Sequence, residues 1–276
     1  MKRILFPTDF SEAATNAFVY ALELAKIVHG ELIVLHSYDL IPMDDQFFPE
    51  NFNELYDSVE FANLDLFKDE VPRLRDIMDK HKLGHVKMMH ELMEGDLFTN
   101  IKKSIHQNKI DYVVMGTSSN MGWEALFAGS NSGTVVLGLD VPMFCIPLGV
   151  KFKKIKTIGY VNHYTSKDKE ALAAVLNMAK MLNAVVKSLY VRTSKSKMDA
   201  ETKNRWEENF ANEPIAFFEV RNDEIKQMIL DFVSHQEIDV LTMLTYKSSF
   251  FEGMFVPNYA KKNEADIPIP ILVIHA

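Results

Sequence analysis

The residues best suited to hold a ligand lie in Val113-Val114-Met115-Gly116-Thr117-Ser118-Ser119-Asn120-Met121-Gly122 and, a little further on, in Ala128-Gly129-Ser130-Asn131-Ser132. An apolar run ends at Gly116, a small-residue loop follows, and a Gly-Ser step precedes a helix predicted to begin near Thr134. Backbone N–H groups in such a loop can cradle phosphate oxygens, helped by the Ser130 hydroxyl and by a helix N-terminus. Glycine and serine punctuate many strand-to-helix connections, so the pattern alone permits an anion without requiring one. From Gly116 to Thr134 there is no Lys or Arg, and Glu124 is negative. A triphosphate there would rely on backbone amides, hydroxyls and Mg²⁺.

Other chemistries find less support. Gly-x4-Gly-Lys-(Ser/Thr) is absent, which excludes a P-loop kinase or GTPase. Gly-x-Ser-x-Gly is absent too, since Gly129-Ser130-Asn131-Ser132-Gly133 centres on Asn131. His81, His85 and His90 are close in sequence, but Gly84 interrupts the helix that would align a His-x3-His pair, so they read as solvated loop residues. The single cysteine, Cys145, sits in an apolar run and reads as a buried structural thiol.

The elements that must position the ligand residues form two copies of one plan. Lys2–Phe6 reads as a buried strand ended by Pro7, Thr8 to Ser11 as turn and N-cap, and Glu12 to Ala25 as an amphipathic helix. Leu32–Leu35 is the next strand, completing a βαβ unit. An offset of 154 residues, Ile4 against Ile158, repeats the pattern and sets Leu22 on Leu176. Later the offset is 128, with Ile110-Asp111 against Ile238-Asp239, and both copies end in a Pro-flanked strand. The first copy therefore carries 26 extra residues, within an acidic and aromatic stretch at 40–71 that includes Asp44, Asp45, Phe47, Phe48, Phe52, Tyr56 and Phe61. A helix with a long approach loop accounts for it, and a partner-binding surface is the sharper alternative.

This pattern predicts an α/β fold: two flavodoxin- or Rossmann-like domains, 1–150 and 151–276, each an open, mostly parallel five-stranded sheet with helices on both faces. Pairing the two Pro-flanked edge strands would hide both edges and pack the copies as an internal pseudo-dimer. Ligands in such sheets sit beyond the strand carboxyl ends. In the first copy those ends are Pro7-Thr8-Asp9, His36-Ser37, Gly95-Asp96 and Gly116-Thr117.

Composition narrows the function classes. The chain has 276 residues, 47% of them apolar, and a formal charge of −8. That charge opposes non-specific binding to nucleic acid or to anionic membranes. With no signal-like segment at the start and no long apolar run, a cytoplasmic protein is the expectation.

Ile4-Leu5-Phe6-Pro7-Thr8-Asp9-Phe10-Ser11-Glu12, then Leu24-Ala25-Lys26, Leu32–His36, Gly95-Asp96, Asp111–Gly116, Gly129-Ser130-Asn131 and Val141-Pro142, resemble a universal stress protein domain of the UspA family. The resemblance covers about residues 1–150 and reaches 151–276 through the internal repeat, as in tandem members. It implies a non-enzymatic stress-response protein that binds ATP or another adenine nucleotide in the first copy. Members that bind ATP use Gly-x2-Gly-x9-Gly-(Ser/Thr) for the phosphates. Gly116 and Gly129-Ser130 match that pattern, while Ser119 replaces the middle glycine. The resemblance further implies that Asp9 holds the ribose and that Pro7, Thr8, Ser37 and Met115 line the adenine end. If the position of Ser119 needs φ > 0, a side chain there costs about 1–2 kcal/mol, roughly ten-fold in affinity. Two readings stand beside this one: a nucleotide-free protein acting through a protein partner, and a slow ATPase using Asp9 to orient water. Further homodimerisation stays open.

The second copy lacks the motif. His163 falls where Asp9 is, Leu244 at Gly116, Lys247 at Ser119 and Pro257-Asn258 at Gly129-Ser130. It is expected to be a structural partner that does not bind a nucleotide by this mode.

Overall fold

A computed structural model describes residues 1–38, 52–117, 138–196, 198–245 and 269–275. The loop residues Ser119, Gly129, Ser130 and Asn131, their counterparts Lys247, Pro257 and Asn258, and residues 39–51 of the acidic stretch lie outside them. By compactness the chain divides into Met1–Gly116 and Thr117–Ala276.

In the first unit β1 (Arg3–Pro7), α1 (Glu12–Ile27), β2 (Glu31–Tyr38), α2 (Phe52–Lys80), β3 (Met88–Glu94), α3 (Leu97–Asn108) and β4 (Tyr112–Thr117) alternate along the chain. The strands are parallel in the order β3-β2-β1-β4. Ile4, Leu5, Phe6 and Leu32 to Leu35 are buried completely, as expected of strands covered on both faces. Neighbouring residues of a strand point to opposite faces. Phe67 of α2 stacks on His36, whereas Asn100 of α3 reaches Ser37, so α2 and α3 cover opposite faces.

The second unit repeats the plan. After β5 (Met143–Pro147) come β6 (Thr157–Val161), α4 (Ser166–Leu182), β7 (Val185–Arg192), α5 (Ala200–Glu208), β8 (Ile215–Arg221), α6 (Ile225–His235), β9 (Val240–Thr245) and β10 (Ile271–His275). The strands β8-β7-β6-β9-β10 are parallel neighbours, the same order as in the first unit with its fifth strand in place. Trp206 of α5 meets Phe217 and Phe232 of α6 meets Phe218, so these helices also take opposite faces.

The duplication extends to single backbone contacts. Thr8 N–H donates to Leu35 O at 2.8 Å, and Asn162 N–H to Leu189 O at 2.8 Å. Asp111 N–H donates to Arg3 O, and Asp239 N–H to Thr157 O. The Asp111 carboxylate takes the Arg3 N–H, and the Asp239 carboxylate takes the Thr157 N–H. Such pairs fix the start of the first strand in each copy against the start of the fourth.

The Pro-flanked strands pair with each other. β5 and β10 are antiparallel, with Cys145 opposite Ile271 and Met143 opposite Val273. Each thus covers an edge that would otherwise present unpaired N–H and C=O groups. This pairing also explains why β5 groups with the second unit, although in sequence it closes the first copy. Cys145 is fully buried in the pair, and burial pushes its thiol up to about 12.

Much of the insertion goes into α2, which has 29 residues against nine in α5. Its aromatic residues do not all cap the core. Phe67 does, but Phe61 is 65% exposed.

Glu31, at the start of β2, is buried between two cations: Arg3 Nε and Lys87 Nζ each donate to it at 2.7 Å. The Lys87 bond, opposed by burial and helped by Arg3, holds its carboxyl below the ordinary value of 4.5. A carboxyl lowered in the folded state contributes stability above its unfolded value and loses it as pH falls through the folded one. Wild-type protein is therefore expected to lose thermal stability below about pH 4.5 more steeply than Glu31→Gln. Melting temperatures from pH 7 to 3 measure this, and parallel curves would remove Glu31 from the account.

Candidate functional site

The chain leaves β1 through a turn that both copies build alike. The Phe10 N–H donates to Thr8 Oγ1 at 2.9 Å, and the Tyr164 N–H to Asn162 Oδ1 at 2.7 Å. Phe10 and Tyr164 take φ of 60° and 59°, a left-handed conformation uncommon for bulky residues. Their rings are held by neighbours. Phe10 lies 5.0 Å from His36 and 6.0 Å from Phe67. Tyr164 lies 5.0 Å from both Tyr190 and Trp206. A three-ring cluster therefore locks each turn below the strand ends.

Asp9 is exposed, and its Oδ1 accepts from the Ser11 N–H at 3.0 Å while Ser11 caps α1. The second copy has His163 here, and a different carboxylate takes over. Asp168 accepts from the Thr165 N–H at 2.9 Å, completing a capping box at the start of α4. Asp9 thus has a structural task, and its other carboxylate oxygen, without a partner among the described residues, could meet a ligand hydroxyl.

Of the other first-copy candidates, Pro7, Thr8 and Met115 are buried, while Ser37 and Gly116 are half-buried. The Ser37 hydroxyl accepts from Asn100 Nδ2, which also reaches the carbonyls of Met93, Glu94 and Gly95. Gly116 meets a constraint that its motif position does not reveal. A Cβ there would stand 2.3 Å from Ala13 O and 2.9 Å from Ala14 N, because the first turn of α1 lies against the end of β4. Asp9 and Gly116 therefore flank the start of α1 at the carboxyl ends of β1 and β4. Strand order reverses between those two strands, and open α/β sheets bind ligands at that point. No group of three or more His, Cys, Asp or Glu residues is placed for a metal among the described residues.

The histidines divide. His81 and His85 are exposed, as the sequence suggests. His90 is not a loop residue: it lies in β3, half-buried and edge-on to Phe67, and burial pushes its imidazole down. The change of period into β3 after Gly84 is the signal that could have placed it. His36 is buried, with Nδ1 2.8 Å from Thr8 O.

The geometry also holds a feature the sequence did not signal. A cavity of about 450 Å³ opens at the carboxyl ends of β6 and β7, lined in part by Val161, Asn162, His163, Tyr190 and Val191. At an offset of 154 these are the counterparts of Pro7, Thr8, Asp9, His36 and Ser37.

The profile of the universal stress protein family matches residues 1–147. The chain belongs to the universal stress protein family. A universal stress protein of Methanocaldococcus jannaschii is 26% identical over 145 residues, 52% of this chain and 81% of that protein. Among solved structures, a universal stress protein from Archaeoglobus fulgidus DSM 4304 aligns with a TM-score of 0.68 at 15% identity. That alignment covers 99% of this chain and 96% of the other, so it shares the fold of both copies. A protein of unknown function from Pseudomonas aeruginosa PAO1 aligns over 100% of this chain and 92% of its own, with a TM-score of 0.59 at 10% identity. Among the described residues no helix of this universal stress protein is long and apolar enough to cross a membrane.

Proposed function

We propose that this universal stress protein is a non-enzymatic stress-response protein that binds ATP or a related adenine nucleotide in its first copy. The observation that carries the reading is the convergence of Asp9 and Gly116 at the reversal of strand order, with Thr8, Ser37 and Met115 on the same strand ends. In this reading Asp9 takes the ribose hydroxyls and Pro7, Thr8, Ser37 and Met115 border the base. The Gly116, Ser119, Gly129, Ser130 and Asn131 loop supplies amides and hydroxyls to the phosphates, with Mg²⁺ as the neutralising cation. We assign the duplicated domains to 1–150 and 151–276, with the protein in the cytoplasm.

Asp9→Asn tests the reading cleanly, because Asn still accepts from the Ser11 N–H and keeps the helix cap. Exchanging a charged acceptor for a neutral one is expected to weaken ATP binding about ten-fold. Calorimetry of the full chain with ATP and Mg²⁺ measures it. Equal affinity in both proteins would take Asp9 out of the site.

A second reading, a nucleotide-free protein working through a protein partner at residues 40–71, draws on Phe61 and Leu66, which are 65% and 40% exposed on α2. It requires that ATP have no effect on the protein and that deletion of 40–71 abolish partner capture.

A further inference from the structure

We propose that two molecules of this protein dimerise by pairing their β8 strands antiparallel about Val220. β8 is the outermost strand of the second unit, and among the described residues it pairs only with β7. The direction of its free groups follows from that ladder. Val186 N–H donates to Pro214 O, and Asn222 N–H donates to Arg192 O. Alternate residues of a parallel pair bond to the neighbour, so the even-numbered residues of β8 turn their N–H and C=O groups to β7. Phe217, Glu219 and Arg221 turn theirs outward.

Proteins usually blunt such an edge with Pro, Lys, a bulge or a very short strand. β8 has seven residues, Ile-Ala-Phe-Phe-Glu-Val-Arg, without Pro or Lys, and its register on β7 runs unbroken from Ile215 to Arg221. The β5 and β10 edges are covered by pairing with each other. Among the described residues nothing does the same for β8, which leaves a template for another strand.

Charge selects the occupant. Glu219 and Arg221 are two apart and share a face with Phe217, which meets Trp206 of α5. The Lys203 bond holds the Glu219 carboxyl low, so it is ionised. Arg221 is held loosely, with Nε 3.9 Å from Glu219 and a side chain 78% exposed. Antiparallel pairing about Val220 sets Glu219 of each molecule opposite Arg221 of the other. These opposed residues exchange both backbone hydrogen bonds and match opposite charges. β3, the outermost strand of the first unit, fits no such pairing with itself. It carries Glu91 and Glu94 and no Lys or Arg, so like charges would meet. A two-fold contact between β8 strands closes on itself and stops at a dimer.

Sedimentation velocity of the full chain, without nucleotide, is expected to show a dimer with a dissociation constant of about 10 µM, as suits a small interface. Arg221→Glu opposes like charges, and Arg221→Pro removes an outward N–H. Each is expected to weaken the dimer about ten-fold. Both keep the fold, because Arg221 is exposed at the end of its strand and an edge tolerates Pro where the N–H faces out. Val220→Cys places two thiols at the axis, where the Cα atoms of a non-hydrogen-bonded pair lie about 4.5 Å apart. Mild oxidation with copper–phenanthroline is expected to join the two molecules there, while the buried Cys145 takes no part. The proposal is overturned if the chain stays monomeric up to about 100 µM, if both Arg221 variants dimerise like the parent, or if Val220→Cys does not cross-link. Open-ended oligomers, the sign of β8 meeting β3, would also overturn it. None of these outcomes depends on whether the first copy binds a nucleotide.

Discussion

Gly116→Ala is expected to destabilise the protein by about 3 kcal/mol, the upper end of the usual cost of overpacking. The new Cβ would sit 2.3 Å from Ala13 O and 2.6 Å from its carbonyl carbon. Both are backbone atoms, so no side chain can swing aside, and α1 must move off β4. Displacing α1 would also disturb Phe18, which is fully buried and packs 5.3 Å from Phe6. For a chain of this size the expected fall in melting temperature is about 6–12 °C. A merely phosphate-facing glycine predicts something else: unchanged melting and loss of nucleotide affinity alone. Thermal unfolding without ligand separates the two, and an unshifted transition would show that α1 does not depend on this glycine.

Trp206→Ala is expected to cost about 3–5 kcal/mol, as deletions of large buried aromatics do. Trp206 is 8% exposed and touches Tyr164, Phe210 and Phe217 at 5.0, 5.1 and 6.1 Å between ring centroids. Its loss removes the support beneath the Tyr164 turn and, through Tyr190, one wall of the second-copy cavity. Trp206→Phe should be far milder. The indole Nε1 has no hydrogen-bond partner among the described residues, so the exchange gives up ring area without leaving a polar group newly unpaired. Urea unfolding of the two variants gives the comparison. Similar losses in both would mean that the indole makes a contact the ring packing does not explain.

The framework was legible because buried strands and capped helices leave local signatures. The Ser11 cap, the apolar run at Leu32 and the Pro-flanked strands that end both copies all lie where patterning puts them. The offset of 154 survives in geometry because strand starts and strand ends are pinned by the same backbone bonds in both copies.

What escaped depends on residues far apart in the chain. Gly116 matches a phosphate motif, yet the structure adds a packing reason that needs α1 in place to be seen. The replacement of Asp9 by Asp168 as the carboxylate serving the helix cap is a swap between a turn and the first helical turn, invisible to a residue-by-residue offset. Phe67 and Trp206 occupy equivalent places on helices of very different length, so no fixed offset relates them. The cavity at the carboxyl ends of β6 and β7 carries no local signature, because its walls come from strand ends and from α5 and α6, far apart in the chain.

The most direct test of the first-copy reading is the small-molecule content of freshly purified protein, released by denaturation and identified by chromatography and mass. A near-stoichiometric adenine nucleotide, sharply reduced in Asp9→Asn, is the predicted result. An extract without adenine nucleotide, from a protein whose melting does not move with ATP and Mg²⁺, would contradict it.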